Sequence, residues 1–150
     1  MLPILLVVIW IFILLLMKFD WSEYFNLANE LIKTDANEAK QRSSISRAYY
    51  GAFCLARNYL RDYLGYTRLS RRDFDVNVHQ YVAEEFNKFD PKNKRMVEIG
   101  RDLGRLRNFR NKADYEDTIF SLQKDTQMSL QLAQNTIDNI NRLIKDLKSR

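Results

Sequence analysis

The chain has almost nothing with which to turn a strand. Four glycines and two prolines are spread over 150 residues, too few for the many tight turns of a β-sandwich or barrel. No segment sustains the period-two alternation of a half-buried strand, whereas several long runs repeat apolar residues at i, i+3, i+4 and i+7. An all-α fold follows, with burial of those stripes as its driving force. The hydrophobic fraction of 46% and charged fraction of 29% suit one ordinary globular domain. One cysteine excludes an internal disulfide framework and, beside one histidine, a zinc site of the Cys/His kind. Neither a metal nor a cofactor is expected, and a lone histidine leaves little room for Ser-His-Asp chemistry.

The N-terminus stands apart. Residues 1–17 carry no charged side chain, so all 43 charges lie beyond them. As a helix, the sixteen apolar residues after Met1 would span roughly 24 Å, slightly short of a bilayer core of about 30 Å. No basic residue precedes the run and no small-residue cleavage site follows it, as a signal peptide would require. Three readings remain: a marginal membrane anchor, a buried helix extension, or a stretch upstream of the true start at Met17. The self-contained amphipathic domain that follows favours the last. The boundary is therefore drawn at residues 1–17 and 18–150, with the domain expected in the cytoplasm, free or tethered by an anchor.

From residue 18 the pattern predicts about five helices in an up-and-down bundle. Asp20 or Ser22 can cap the first, with Trp21, Tyr24, Leu27, Ala28 and Leu31 inward. A polar break at 34–37 precedes a long helix over 38–64, stopped by Gly65. Its inner stripe is Ile45, Ala48, Tyr49, Ala52, Phe53, Ala56, Tyr59, Leu60 and Tyr63. A loop over 66–75 leads to a helix over 76–89, with Val78, Val82, Phe86 and Phe89 inward, ended by Asp90-Pro91. The last two helices are expected over 92–113 and 118–147, the latter burying Ile119, Leu122, Ala133, Ile137, Ile140, Ile144 and Leu147.

Charge is distributed unevenly over this frame. Residues 39–72 hold eight Lys/Arg against one acid, and 92–112 hold eight against two. Such blocks are either solvated helix faces or the positive footprint of a phosphate-binding surface. On the long helix, Arg47, Tyr50, Cys54, Arg57 and Arg61 form a second stripe beside the core stripe. Guanidinium groups alternating with an aromatic suit a strand of RNA, since they bind phosphate while the rings stack on bases. The same stems could instead cover apolar surface at an interface. Cys54 reads as a small, half-buried filler. On the fourth helix the apolar line of Ile99, Leu103, Leu106 and Ala113 is interrupted by Arg110. A charge there needs a partner. Either Asp114 supplies it one turn on, or Arg110 sits at a cleft and faces a phosphodiester.

The stretch Arg42-Ser-Ser-Ile-Ser-Arg-Ala-Tyr-Tyr-Gly-Ala-Phe53 resembles the long-helix signature of HEPN domains, a superfamily of small helical bundles. The later Leu106-Arg-Asn-Phe-Arg-Asn-Lys-Ala-Asp-Tyr115, the lead-in Phe19-Asp-Trp-Ser-Glu-Tyr-Phe25 and the isolated His79 are similar to it as well. The resemblance covers most of residues 18–150 and leaves out the apolar tail. It implies a homodimer, a partner such as a minimal nucleotidyltransferase antitoxin, and RNA or a nucleotide as ligand, in a toxin–antitoxin or defence-type system. Many HEPN domains are metal-independent endoribonucleases whose motif is an arginine and a polar residue, with a histidine one to two helical turns further on. Here Arg110 and Asn111 match the first half, whereas Tyr115, Glu116 and Asp117 occupy the positions where the histidine is expected. Tyrosine is a poor base at neutral pH, so a non-catalytic or attenuated binding module is expected. The alternative is an active endoribonuclease centred on Arg110 and Asn111, with Asp114, Tyr115 or His79 as an unconventional proton group. Arg47, Tyr50, Arg57, Arg61 and Arg107 are the expected nucleic-acid contacts.

Overall fold

The computed structural model describes residues 3–66, 69 and 77–150. The described residues are all-helical, with no strand among them. The helices are α1 (Ile4–Leu16), α2 (Ser22–Leu31), α3 (Glu38–Tyr63), α4 (Val78–Phe89), α5 (Lys94–Tyr115) and α6 (Leu122–Lys148). Most of the loop expected over 66–75, and the expected helix start at residue 76, lie outside the described residues.

Local chemistry sets the helix ends. The Asp20 carboxylate accepts from the Ser22 N–H at 3.0 Å and opens α2. Asn37 accepts from the Lys40 N–H at 2.9 Å, and Asn93 from the Arg95 N–H at 3.1 Å, each satisfying a donor that the first helical turn leaves orphaned. Gly65 stops α3 as expected: at φ 76° it takes the left-handed conformation that L side chains avoid. The Tyr66 N–H then turns back to the Leu60 carbonyl at 3.1 Å.

The bundle is built around α3, which packs against α2, α5 and α6, while α4 lies mainly on α5. The stripe Ala48, Tyr49, Ala52, Phe53, Ala56 and Leu60 is buried among Val82, Phe86, Ile99, Leu103, Leu106, Ala133 and Ile140 from the other helices. Small residues let α2 approach α3. A Cβ on Gly51 would lie 3.1 Å from the Phe25 backbone nitrogen, and the buried Ser44 hydroxyl donates to the Ala28 carbonyl at 2.7 Å. Between α4 and α5 the approach is closer. A Cβ on Gly100 would come within 2.7 Å of the Ala83 carbonyl oxygen and 2.5 Å of Asn87 Oδ1.

Several expectations are corrected. Leu27, Tyr63, Phe89 and Leu147, all expected inward, are exposed. Tyr63, Phe89 and Leu147 sit in the last turn of their helices, where spacing still aims them at the core face but no neighbouring helix extends to cover them. Ile119 precedes α6, which begins at Leu122 rather than residue 118. The reading of residues 1–17 as a buried extension does not hold. Every described side chain of α1 is exposed, and the helix touches none of the others. No helix among the described residues is long and apolar enough to cross a membrane.

Two outcomes follow. A chain beginning at Met17 should melt cooperatively in circular dichroism at the temperature of the full chain, since α1 contributes no packing to the bundle. Gly100→Ala should destabilise the protein by about 1–3 kcal/mol through overpacking at the α4–α5 crossing, read as a lower urea midpoint with unchanged m-value.

Candidate functional site

The second stripe of α3 is partly buried. It lines a cavity of about 500 Å³ closed by the start of α2 and the start of α4. Arg47, Tyr50, Cys54 and Arg57 come from α3, Trp21 and Tyr24 from the α2 side, and His79 from α4. The aromatic rings hold the guanidinium groups. Arg47 lies 4.8 Å from the Tyr24 ring centroid and 5.8 Å from that of Tyr50, and Arg57 lies 5.5 Å from Trp21, all within cation–π range. Arg57 also donates to Asn58 Oδ1 at 3.0 and 3.2 Å. Arg47 and Arg57 are the cationic side chains among the described lining residues.

Arg61 does not join it. Its guanidinium donates to both carboxylate oxygens of Asp62, at 2.7 and 3.1 Å, which neutralises it at the surface. The expectation that Arg61 belongs with the other stripe residues is therefore corrected. Cys54 is buried rather than half-buried, and burial pushes its thiol up to about 11, leaving it unreactive at neutral pH.

Beneath the cavity, three helices meet at one phenol. Spacing places Tyr49 in the core stripe and says nothing more of it. Its ring is buried against Phe53 at 5.8 Å, while its hydroxyl lies 2.6 Å from His79 Nδ1. Burial holds Tyr49 well above the usual phenol range, so the hydroxyl keeps its proton. His79 in turn packs on Phe53 at 4.3 Å between centroids. Burial, then the charges of Arg110, Arg107 and Arg57, lower its pKa to about 4. The one histidine is thus neutral at pH 7. A tyrosine rather than a phenylalanine at a core position is the sequence signal for this contact, because a buried hydroxyl needs a partner.

Arg110 completes the cluster. It is 8% exposed and lies 5.2 and 5.5 Å from the Tyr49 and Tyr50 ring centroids. Its Nη1 is 3.8 Å from Asp114 Oδ2, an ion pair too long to be a hydrogen bond, and the Ser46 hydroxyl reaches the same oxygen at 3.5 Å. Arg110 Nε is buried without a partner among the described atoms. The two sequence readings of Arg110 therefore coexist: it pairs loosely with Asp114 and also sits beside a cleft. Asn111 is exposed and Tyr115 is 76% exposed. At about 100° per residue both fall on other faces of α5 than Arg110, so this fold does not gather them with Arg110 into one constellation.

A second cavity, of about 430 Å³, opens between α4 and α5 and is lined by His79, Glu84, Arg101, Arg105, Arg107 and Asn108 among others. Arg107 thus belongs to this side, not to the α3 stripe.

The residue that fixes α5 relative to α3 is visible in the sequence only as part of a motif. Arg42 donates to the Ala113 carbonyl at 3.0 Å and the Asp117 carbonyl at 3.1 Å, and to the Glu116 carbonyl, while Glu38 holds it at 2.9 Å. A cation there satisfies carbonyls at the C-terminal end of α5 and complements its dipole, which locks the segment carrying Arg110 and Asp114 against α3.

No family model matches the chain, and no solved structure matches it. A protein of the archaeon Methanocaldococcus jannaschii, described only as uncharacterized, is 30% identical over 90 residues, covering 56% of this chain and 54% of the relative. The chain thus spans about half the length of that relative.

The folded-state pKa of His79 lies below its ordinary value near 6.5, so protonation favours the unfolded chain. The stability tied to a neutral His79 is complete above about pH 6.5 and is lost as pH falls toward 4. Imidazole resonances should accordingly titrate with a midpoint near 4. Acidification between those values should lower the melting temperature of the wild type more than that of His79→Gln.

Proposed function

We propose that the protein is a HEPN-like module that binds single-stranded RNA or a nucleotide in the cavity between α2, α3 and α4. The observation that carries this reading is the convergence of Arg47 and Arg57 with Trp21, Tyr24 and Tyr50 on one cavity. Guanidinium groups supply the attraction to phosphate, and the aromatic faces offer stacking surfaces that tolerate any base. The ordered motifs on α3 and α5 support the HEPN assignment, an up-and-down helical order, a homodimer and a protein partner such as a minimal nucleotidyltransferase.

Binding without efficient cleavage fits the proton chemistry. Metal-free attack by a ribose hydroxyl needs a base and an acid near neutrality. His79, lowered to about 4 and engaged at Nδ1, is a weak base, and Tyr115 lies away from Arg110. A slow endoribonuclease is the second reading, favoured by one fact: Tyr49 links His79 to the face that Arg110 covers. A metal-free cleavage assay of wild type against Arg110→Ala decides it, and equal background from both proteins removes the nuclease.

RNA affinity should fall with salt, by about 0.7 in log-log slope for each single-strand phosphate neutralised. Arg47→Gln should flatten the slope by about that amount, whereas Arg61→Gln, already paired to Asp62, should leave it unchanged. Tyr50→Ala should cost about 1–3 kcal/mol of binding with little change in slope. RNA affinity indifferent to Arg47→Gln and Tyr50→Ala removes this cavity from the function. Sedimentation at micromolar concentration should show a dimer.

A further inference from the structure

The two cavities share a wall, and the wall is His79. On one side stand Arg47, Arg57 and the stacking aromatics, and on the other Arg107, Arg105 and Asn108. The guanidinium charges of Arg107 and Arg110 from α5 both act on this imidazole, with Tyr49 hydrogen-bonded to it and the Tyr50 ring 6.1 Å away. Such a convergence of positive charge is stabilised by an anion seated against the ring.

The hydrogen-bond directions settle what the ring offers that anion. Tyr49 keeps its proton, and of the two partners the phenol is the stronger acid and a bare imidazole nitrogen the stronger base. The Tyr49 hydroxyl therefore directs its hydrogen to His79 Nδ1 across the 2.6 Å contact. The proton of the neutral imidazole is then on Nε2. With Nδ1 engaged by the phenol and the ring bordering both cavities, Nε2–H is the donor it offers a ligand.

We propose that the two cavities are halves of one groove for single-stranded RNA, and that His79 Nε2–H holds the phosphodiester linking a nucleotide in the first to a nucleotide in the second. The inference rests on the RNA-binding reading and adds a length requirement to it: the ligand has at least two linked nucleotides. The cavities, of about 500 and 430 Å³, each fall at the small end of the roughly 300–1,000 Å³ range of small-ligand clefts, so each suits one nucleotide better than the whole dinucleotide. Glu84 in the second cavity disfavours a further phosphate there and suits contacts to ribose hydroxyls or base amino groups instead. His79 is a positioning residue here, not an acid or base.

The experiment compares uridine 5′-monophosphate, the dinucleotide UpU and a tetrauridylate in competition with a labelled RNA, using the full chain at fixed salt. Expected are an affinity gain of at least tenfold from mononucleotide to dinucleotide, and reduction of dinucleotide affinity to the wild-type mononucleotide level in Arg107→Gln. Imidazole ¹⁵N shifts should show the Nε2–H tautomer in the free protein and a downfield move of that proton with UpU but not with the monophosphate. Equal affinity for mononucleotide and dinucleotide, or an Nδ1–H tautomer in the complex, overturns the shared groove while leaving RNA binding in place. Absence of binding to any of the three, or to the labelled RNA, overturns both. Because Arg107 is half-exposed and lies outside the apolar core, Arg107→Gln tests the groove without the loss of the Tyr49 hydrogen bond that substitution of His79 entails.

Discussion

The contact between the Tyr49 hydroxyl and His79 joins helices that otherwise touch sparingly. α4 packs chiefly on α5 and only lightly on α3, yet the 2.6 Å hydrogen bond ties its first turn to the middle of α3. The same phenol ring lies under the Arg110 guanidinium of α5. A buried hydroxyl, a half-buried imidazole and a buried guanidinium would each be costly alone. Together they offset one another, because the phenol bonds the imidazole and presents its ring to the cation. Removing His79 leaves the buried Tyr49 hydroxyl without its 2.6 Å partner, and removing Tyr49 takes away the ring beneath Arg110.

Around this unit, the helix ends set the geometry of the cavities. Arg42 holds the C-terminal end of α5 to α3 through three backbone carbonyls, which fixes the height of Arg110 against Tyr49. Gly100 lets α5 approach the Ala83 backbone of α4, and so determines where Arg107 and Asn108 stand relative to His79. On the other side, Gly51 and Ser44 bring α2 close enough for Trp21 and Tyr24 to roof the arginine stripe. The cavity is thus shaped by small residues interleaved with its own lining on α3 and by contacts at the far end of α5.

Much of the fold is legible in the residues themselves. Scarce turn formers and stripes at helical spacing lead to an all-α bundle, and Gly65 and Asp90-Pro91 mark true breaks. Periodicity names the face of a helix but not the length of its neighbour, so spacing aims Tyr63, Phe89 and Leu147 inward although all three are exposed. Of the site, Arg47, Tyr50 and Arg57 are legible because their spacing forms a stripe distinct from the core. Arg61 shares that spacing yet is held by the adjacent Asp62, a local pairing that stripe reasoning passes over.

The sequence by itself determined the helical class, the separation of an uncharged N-terminal run from a basic domain, and the presence of an arginine on a core-facing line. These depend on composition and on intervals within one helix, where rise and twist are constant. Only the tertiary structure decided that Tyr49, His79 and Arg110 meet and that His79 borders two cavities. Those outcomes depend on how three helices cross, and crossing is decided by close contacts such as Gly100 with Ala83 and Arg42 with the end of α5. No interval along a single helix encodes them.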